Sequence, residues 1–291
     1  MTVGRQILAI GGFDADETFS VVEARRLTGN GAWRHLEPLP TARANLASAV
    51  LDGRVYAIGG YNAADETLAV VETYNPRTCH WTSEHSLPQP RGGAGAAVLD
   101  GRLYLAGGRV PTTGTDTLST NTMIVYDPRT ASWRPAAPMT TARERFQLLA
   151  AGDHLYAIGG RGEGPSLAGV ERYDPRSDSW REINSMHQSR VVPGVVTTTV
   201  GRREVIVVIA GAVFSDAGEF VDGRRTTEVL DLATGRWTLL SVQLSTVRGS
   251  IGCAVESDGA VLAIAGASHI DRTFVFLADV EALTIDSRDL R

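Results

Sequence analysis

The sequence predicts an all-β fold, a single six-bladed β-propeller with four-stranded antiparallel blades around a central channel. Three recurring features of its 291 residues predict this fold. Apolar runs that end in glycine, single tryptophans and single arginines follow one another in a fixed order, at a period of about 50 residues that is typical of propellers. One four-stranded sheet cannot bury both of its faces, whereas six sheets packed radially bury them against each other.

The apolar run comes first in each unit, and its final glycine recurs every 48 to 55 residues. Runs of β-branched and aromatic residues that stop at glycine are typical of strands followed by turns. Glycine has no Cβ, so it lets the chain bend close to its neighbour at this point. The six runs are Ile7–Gly12, Val55–Gly60, Leu103–Gly108, Leu155–Gly160, Val208–Gly211 and Ala263–Gly266.

A turn with the sequence Tyr-Asp-Pro or Tyr-Asn-Pro comes second, in three copies that end at Pro76, Pro128 and Pro175. Asp and Asn hydrogen-bond the nearby backbone in such turns. A tryptophan follows, and we expect its ring to lie mostly buried between neighbouring blades. The tryptophans are Trp33, Trp81, Trp133, Trp180 and Trp237. The arginines that open the next unit are Arg43, Arg91, Arg143, Arg190 and Arg248.

Together these motifs resemble the Kelch repeat, and the resemblance covers the whole chain. In Kelch order each blade runs from an inner strand A through B and C to an outer strand D. The resemblance implies that the B–C and D–A loops meet at one mouth of the channel, where members of the family commonly bind partners. It divides one domain into blades near residues 1–41, 42–89, 90–141, 142–188, 189–246 and 247–291.

Closure of the ring is the least defined part of this prediction. Few residues precede Gly12, so blade 1 is expected to lack its own strand A. Residues 273–280 and 282–286 are expected to form strands C and D of blade 6. Either the tail near 286–291 then completes blade 1, or the ring stays partly open there.

Composition excludes several classes of protein. All 28 basic residues are arginine and the net charge is −5, which does not favour nucleic acid as a partner. No apolar run approaches the ~20 residues of a membrane span. Two distant cysteines indicate a reducing compartment, so we expect a cytoplasmic protein. We expect neither a cofactor nor a bound metal, because the nearest metal-like cluster, Cys79-His80 with His85, falls beside a structural tryptophan.

Candidate site residues follow the glycine doublets, because the motif itself is structural and the variable position after it faces the mouth. These residues are Phe13, Tyr61, Arg109 and Arg161. Acidic residues occupy the same loops of blades 1 and 2, namely Asp14, Asp16, Glu17, Asp65 and Glu66. The mouth is therefore predicted to be acidic and aromatic on one side and basic on the other. The alternative is that these are ordinary solvated loop charges.

A further arginine, Arg145, is predicted to join Arg109 and Arg161. Three guanidinium groups that converge in a partly dry mouth suit a carboxylate or an acidic peptide. Without a ligand, chloride or the adjacent Glu144 would take the place of that carboxylate.

The opening arginines allow two interpretations. They could tie one loop to the next blade through Glu23, Glu72, Glu171 or Glu228, or they could contact a ligand. On the second interpretation Arg91, Arg143 and Arg190 are candidate ligand contacts. His187 and His269 lie in mouth loops and are candidates as well.

The function predicted from these features is a binding module for a protein segment or a small anionic ligand at the B–C and D–A loops. The alternative is a metal-independent enzyme, an isomerase, cyclase or lyase similar to the mutarotases that share this architecture. The copper site of galactose oxidase and the iron motif of nitrile-specifier proteins have no counterpart in the sequence. Since a fold does not determine a function, the sequence leaves the ligand open.

Overall fold

The computed structural model describes residues 1–14, 17–27, 31–113, 116–256, 258–270 and 273–290, with the backbone alone at 268–270 and 273–278. Six small antiparallel sheets form a six-bladed β-propeller, which confirms the predicted fold. Within these ranges the one helix is a 3-10 turn at Ser287–Leu290.

Blades 1 to 3 each contain a four-stranded sheet in which the strands follow sequence order. Blade 1 contains β1 (Thr2–Val3), β2 (Gln6–Ile10), β3 (Val22–Arg26) and β4 (Arg34–His35). Blade 2 contains β5 (Ala47–Leu51), β6 (Arg54–Ile58), β7 (Val71–Asn75) and β8 (His80–Ser83). Blade 3 contains β9 (Gly95–Leu99), β10 (Arg102–Ala106), β13 (Met123–Asp127) and β14 (Ser132–Ala136), with a separate hairpin of β11 (Arg109–Pro111) and β12 (Thr117–Ser119) in its B–C loop.

Blades 4 to 6 become progressively less regular. Blade 4 contains β15 (Gln147–Ala151), β16 (His154–Ile158), β17 (Val170–Asp174) and β18 (Ser179–Ile183). Blade 5 contains β19 (Gly194–Val200), β20 (Arg203–Ile209), β21 (Ala212–Phe214), β22 (Phe220–Asp231) and β23 (Arg236–Arg248). Blade 6 contains β24 (Gly252–Val255), β25 (Val261–Ile270) and β26 (Thr273–Leu283).

The expectation that blade 1 lacks strand A is wrong. The short strand β1 fills this position and pairs antiparallel with β2, with Thr2 opposite Ile7. Gly4 at φ 57° makes the tight turn between them, so only a few residues are needed.

The expected strand D of blade 6 is not formed by the described residues. β25 and β26 continue as one long hairpin, with Ile270 opposite Thr273, so strand C occupies the end of β26. The chain that follows turns into the 3-10 helix instead of a strand. Leu290 anchors this helix in an apolar cluster with Leu240 and Leu244 of blade 5. The tail therefore packs beside blade 5 and does not complete blade 1.

Side-chain packing joins blade 6 to blade 1. Ile7 of blade 1 shares an apolar cluster with Leu262 and Ile264 of blade 6, and Trp33 packs against it. The ring thus closes through apolar contacts, with no strand exchanged between these two blades in the described ranges.

Four of the five tryptophans, those of blades 2 to 5, bond to the preceding blade in the same way. The indole Nε1 of Trp237 donates to the carbonyl of Asn184 at 2.7 Å, and Asn184 lies four residues after Trp180. Trp180 donates to Ala137 with the same offset, at 3.0 Å. Trp180 also lies 5.2 Å from the ring of Tyr173. The Tyr and Trp of the repeat therefore form one inter-blade unit that combines ring contact with a satisfied N–H.

Candidate functional site at the channel mouth

A ring of residues in the left-handed region surrounds the channel at the start of strand A. Its five members each lie two positions after an opening arginine: Asn45 (φ 46°), Gly93 (φ 64°), Arg145 (φ 51°), Val192 (φ 48°) and Ser250 (φ 54°). This conformation is costly for a side chain such as valine, so the surroundings must hold it. Backbone hydrogen bonds do so between blades, as the amide of Arg145 donates to Gly93 at 2.7 Å and that of Val192 donates to Arg145 at 2.7 Å.

In blades 2 to 6 the residue after the final glycine of the apolar run is held beside this ring by an isolated β-bridge, whereas Phe13 of blade 1 bridges Thr18 of its own loop. Tyr61 pairs with Ala44, Arg109 with Gly92, and Arg161 with Glu144. The glycines permit this approach, since a Cβ on Gly60 would lie 2.7 Å from the Ala44 carbonyl oxygen. The variable positions of the repeat are therefore gathered at the mouth, on the face formed by the B–C and D–A loops, hereafter the loop face.

The opening arginines lie inside the blades. Their side chains are almost fully buried, and each donates to backbone carbonyls around the glycine doublet of its own unit. Three pair with a predicted glutamate: Arg43 with Glu72 at 2.8 Å, Arg143 with Glu171 at 2.7 Å and Arg190 with Glu228 at 3.0 Å. Glu23 was the fourth glutamate predicted to pair with an opening arginine, but it lies near His35 instead.

Arg91 is an exception among them because no carboxylate faces it in the described ranges. It donates to the carbonyls of Gly107 and Thr122 at 2.9 and 3.0 Å, and to the Thr122 hydroxyl at 3.0 Å. Burial lowers the pKa of its guanidinium to about 10. The opening arginines were predicted either to tie a loop to the next blade or to contact a ligand. The contacts of Arg91, Arg143 and Arg190 fit the first of these interpretations, a structural role.

Arg109, Arg145 and Arg161 converge on the carboxylate of Glu144. Each has a guanidinium nitrogen 3.7 Å from a Glu144 oxygen. Glu144 is only 3% exposed, and its Oε2 has no hydrogen-bond donor among the described residues. At 3.7 Å these are ion pairs without direct hydrogen bonds. The protein's own carboxylate thus stands where the sequence predicted a ligand's.

The three arginines differ in what else holds them. Arg109 donates to the hydroxyl of Thr117 at 2.8 Å and to Glu163 at 3.3 Å. Arg161 lies over the ring of Phe214, with its guanidinium carbon 5.3 Å from the centroid. Arg145 has only the Glu144 ion pair in the described structure, and 32% of its side chain is exposed. Arg145 is therefore the cation most available to a partner.

The acidic and aromatic loops of blades 1 and 2 border a cavity of about 230 Å³ that Arg145 closes from the opposite side. The side chains that line it include Phe13, Asp14, Glu17, Tyr61 and Asp65. Phe13 is exposed, whereas Tyr61 is buried with its ring over Gly92. Burial, and secondarily the nearby Glu144 charge, raises the pKa of the Tyr61 hydroxyl.

The remaining predicted residues take other places. Asp16 lies outside the described residues, as does the side chain of His269. Glu66 accepts a hydrogen bond from Asn62 at 2.8 Å. The Nδ1 of His187 lies 2.8 Å from Glu228, the partner of an opening arginine. In the described ranges, no group of three His, Cys, Asp or Glu side chains is placed to hold a metal ion.

Sequence reasoning missed Asn45, which borders the three cavities that contain Phe13, Arg145 or both, hereafter the mouth cavities. The largest of them is mostly apolar, measures about 370 Å³ and includes Phe19 and Val192. The sequence does contain a signal for this residue. Asn45 lies two positions after an opening arginine, and Asn tolerates a positive φ better than most residues do.

The fold and its loop face define a Kelch-type propeller, and the comparison with known families agrees. Residues 1–211 match the family described as the KLHDC2/KLHL20/DRC7 Kelch-repeats domain. The chain belongs to the Kelch-repeat family.

Curated relatives include Kelch-like protein 26 from Danio rerio, 30% identical over 154 residues, which are 53% of this chain and 24% of that protein. Kelch-like protein 26 from Mus musculus is 51% identical over 55 residues, which are 19% of this chain and 9% of that protein. The chain thus spans a quarter or less of the length of these relatives.

A solved structure titled "Structure of YjhT" covers 99% of this chain and 97% of its own, with a TM-score of 0.78 and 17% identity. At that identity the likeness shows the fold alone. No helix among the described residues is long and apolar enough to cross a membrane.

Proposed function

We propose that this propeller binds a segment of a partner protein at its loop face, with Arg145 as the main anchor for an acidic side chain. The relatives named Kelch-like proteins support a protein-binding module. The observation that carries the proposal is the position of Arg145, whose partly exposed guanidinium borders two of the three mouth cavities.

A partner carboxylate suits this arginine. The planar guanidinium donates two parallel hydrogen bonds to a carboxylate, each worth about 1.5–3 kcal/mol when charge-assisted. Arg109 and Arg161 are already engaged by Thr117 and Phe214, so they support the local positive potential. Asp14, Glu17 and Asp65 on the opposite side of the cavity would orient the segment by repelling its acidic part.

A small free anion among the three arginines has less support. The Glu144 carboxylate already occupies that position and lines none of the mouth cavities, whereas Arg145 borders two of them and can be reached from its exposed side. The metal-independent enzyme has less support for a related reason. Glu144 is the most buried carboxylate of the site, yet it does not line any of the three mouth cavities.

A selection from a displayed peptide library tests this proposal. The affinity of each retained peptide is then measured for the variant Arg145→Asn. This substitution removes the positive charge, and Asn tolerates the left-handed backbone of this position, as Asn45 does in blade 2. Arg176→Asn is the matched control, because Arg176 is exposed at the end of blade 4 away from the loop face.

We expect the retained peptides to contain Asp or Glu and to bind Arg145→Asn at least about tenfold more weakly. Binding to Arg176→Asn should be unchanged. Peptides that bind Arg145→Asn as well as they bind the natural chain would rule out Arg145 as the anchor.

A further inference from the structure

A further cavity, of about 380 Å³, lies between blades 4 and 5 and shares no residue with the mouth cavities. Its walls are the two outer strands of blade 4 and the turn between β22 and β23 of blade 5. We call it the blade 4–5 cavity. Nothing in the proposed binding at the loop face requires it.

Two arginines lie side by side in this cavity. Arg172 of β17 and Arg181 of β18 are direct cross-strand partners, so their side chains leave the sheet on the same face. Like charges in this relationship destabilise a sheet. The corresponding pairs of blades 2, 3 and 5 are Thr73 with Thr82, Val125 with Arg134, and Val229 with Thr238.

No carboxylate of the described residues lies within ion-pair distance of either arginine. Glu182 also borders the cavity, but strand alternation directs its side chain and that of Glu171 to the other face, where Glu171 pairs with Arg143 at 2.7 Å and Glu182 accepts from Thr140 at 3.4 Å. The side chain of Arg172 hydrogen-bonds the Tyr156 hydroxyl, which is neutral and also lines the cavity.

The blade 5 side of the cavity adds polar groups but no free negative charge. Asp231 is engaged by Arg203 at 3.1 Å and by the amides of Ala233 and Thr234 at 3.0 and 3.1 Å. The hydroxyl oxygen of Thr234 accepts from the amide of Arg236, which leaves its proton available to donate.

We propose that the blade 4–5 cavity binds a phosphoryl group. Two adjacent guanidinium groups without counter-ions match the two negative charges of a phosphate monoester, and their forked donors match its oxygens. The hydroxyl of Thr234 supplies a further donor on the facing wall. The cavity is larger than a phosphate ion, so the group can be part of a small phosphorylated molecule or of a phosphorylated side chain.

Thermal unfolding in sodium phosphate and in sodium chloride of equal ionic strength tests the proposal. Phosphate should raise the unfolding midpoint of the natural chain, because a ligand that binds only the folded state stabilises it. Arg181→Gln should lose this response, and in chloride it should be as stable as the natural chain or more stable, because the repulsion is removed. An equal phosphate response in Arg181→Gln, or none in the natural chain, overturns the proposal.

The matched control is Arg134→Gln. Arg134 holds the same position in strand D of blade 3, but it faces Val125 rather than a second arginine. It should keep the full response to phosphate, and loss of the response in Arg134→Gln would show a general charge effect and overturn the site.

Calorimetry with inorganic phosphate, O-phosphoserine and a phosphoserine peptide then identifies the source of the group. At least about tenfold weaker binding of each measurable ligand by Arg181→Gln is expected from the loss of one charge-assisted contact. Unchanged affinity in that variant contradicts the assignment.

Discussion

Arg145 and Glu144 are adjacent in sequence, and the Nε of Arg145 lies 3.7 Å from Oε2 of Glu144 at the mouth of the channel. The left-handed backbone of Arg145 makes this geometry possible, because it leaves the glutamate buried and the arginine partly exposed. The glutamate therefore lies at the centre of the three arginines, while Arg145 borders the mouth cavities.

Removal of the central carboxylate should destabilise the propeller. In Glu144→Gln the three arginines lose the counter-ion that they share, although Arg109 keeps Glu163 at 3.3 Å, so we expect a loss of roughly 1–3 kcal/mol in the free energy of unfolding. Chemical denaturation at low and high salt measures it. The loss should shrink at high salt, since an exogenous anion screens the three charges. A loss that is independent of salt would contradict this electrostatic account.

The buried ion pairs of the opening arginines predict a contrast between two blades. Arg143→Met leaves the buried Glu171 without its cation and should cost about 3–5 kcal/mol. Arg91→Met leaves only unpaired carbonyls and should cost about 1–3 kcal/mol. Denaturation of both variants and of the Arg143→Met, Glu171→Met double variant measures the difference. A double variant no more stable than Arg143→Met would contradict the ion-pair explanation.

The inter-blade tryptophans predict a graded response. Trp237→Ala removes a buried ring and should cost about 3–5 kcal/mol. Trp237→Phe keeps a ring but loses the hydrogen bond to Asn184, so its cost should be smaller. Denaturation curves of the two variants give the order, and equal costs would show that the ring itself contributes little.

Asp178 predicts a dependence of stability on pH. The Tyr173 hydroxyl at 2.6 Å, and then the amide of Ala137, hold the pKa of this carboxyl below its usual value. A depressed folded-state pKa contributes stability that is present above the unfolded-state value and lost as the pH falls through the folded one. The gap in stability between the natural chain and Asp178→Asn should therefore close as the solution is acidified. A difference in stability between the two proteins that stays constant from neutral pH to strong acid would contradict the role assigned to the Asp178 carboxylate.

Much of the fold follows from the sequence, because recurrence at a fixed order defines the blades. The same recurrence located the carboxylates of three opening arginines. It failed for Glu23, whose carboxylate lies 3.6 Å from His35 and not beside an opening arginine. Among the described residues blade 6 has three strands and no strand D, and the sequence carried a signal for this, since no tryptophan follows Trp237.

The sites were less predictable because they depend on three-dimensional packing. The convergence of Arg109, Arg145 and Arg161 followed from blade order, but the burial of Glu144 at their centre depends on the left-handed residue beside it. The pair of Arg172 and Arg181 could have been derived, since Tyr173 and Trp180 fix the register of their strands. The lack of counter-ions around these two arginines could not be derived from the sequence, because it depends on how blade 5 packs against blade 4.

The most direct measurement of the central claim is the affinity of a loop-face peptide together with the melting temperature, both on Arg145→Asn. If Arg145 anchors a partner's carboxylate, affinity falls at least about tenfold while the melting temperature stays within a few degrees of the natural chain. Unchanged affinity with a lowered melting temperature would assign Arg145 to the architecture of the propeller and contradict the proposed function.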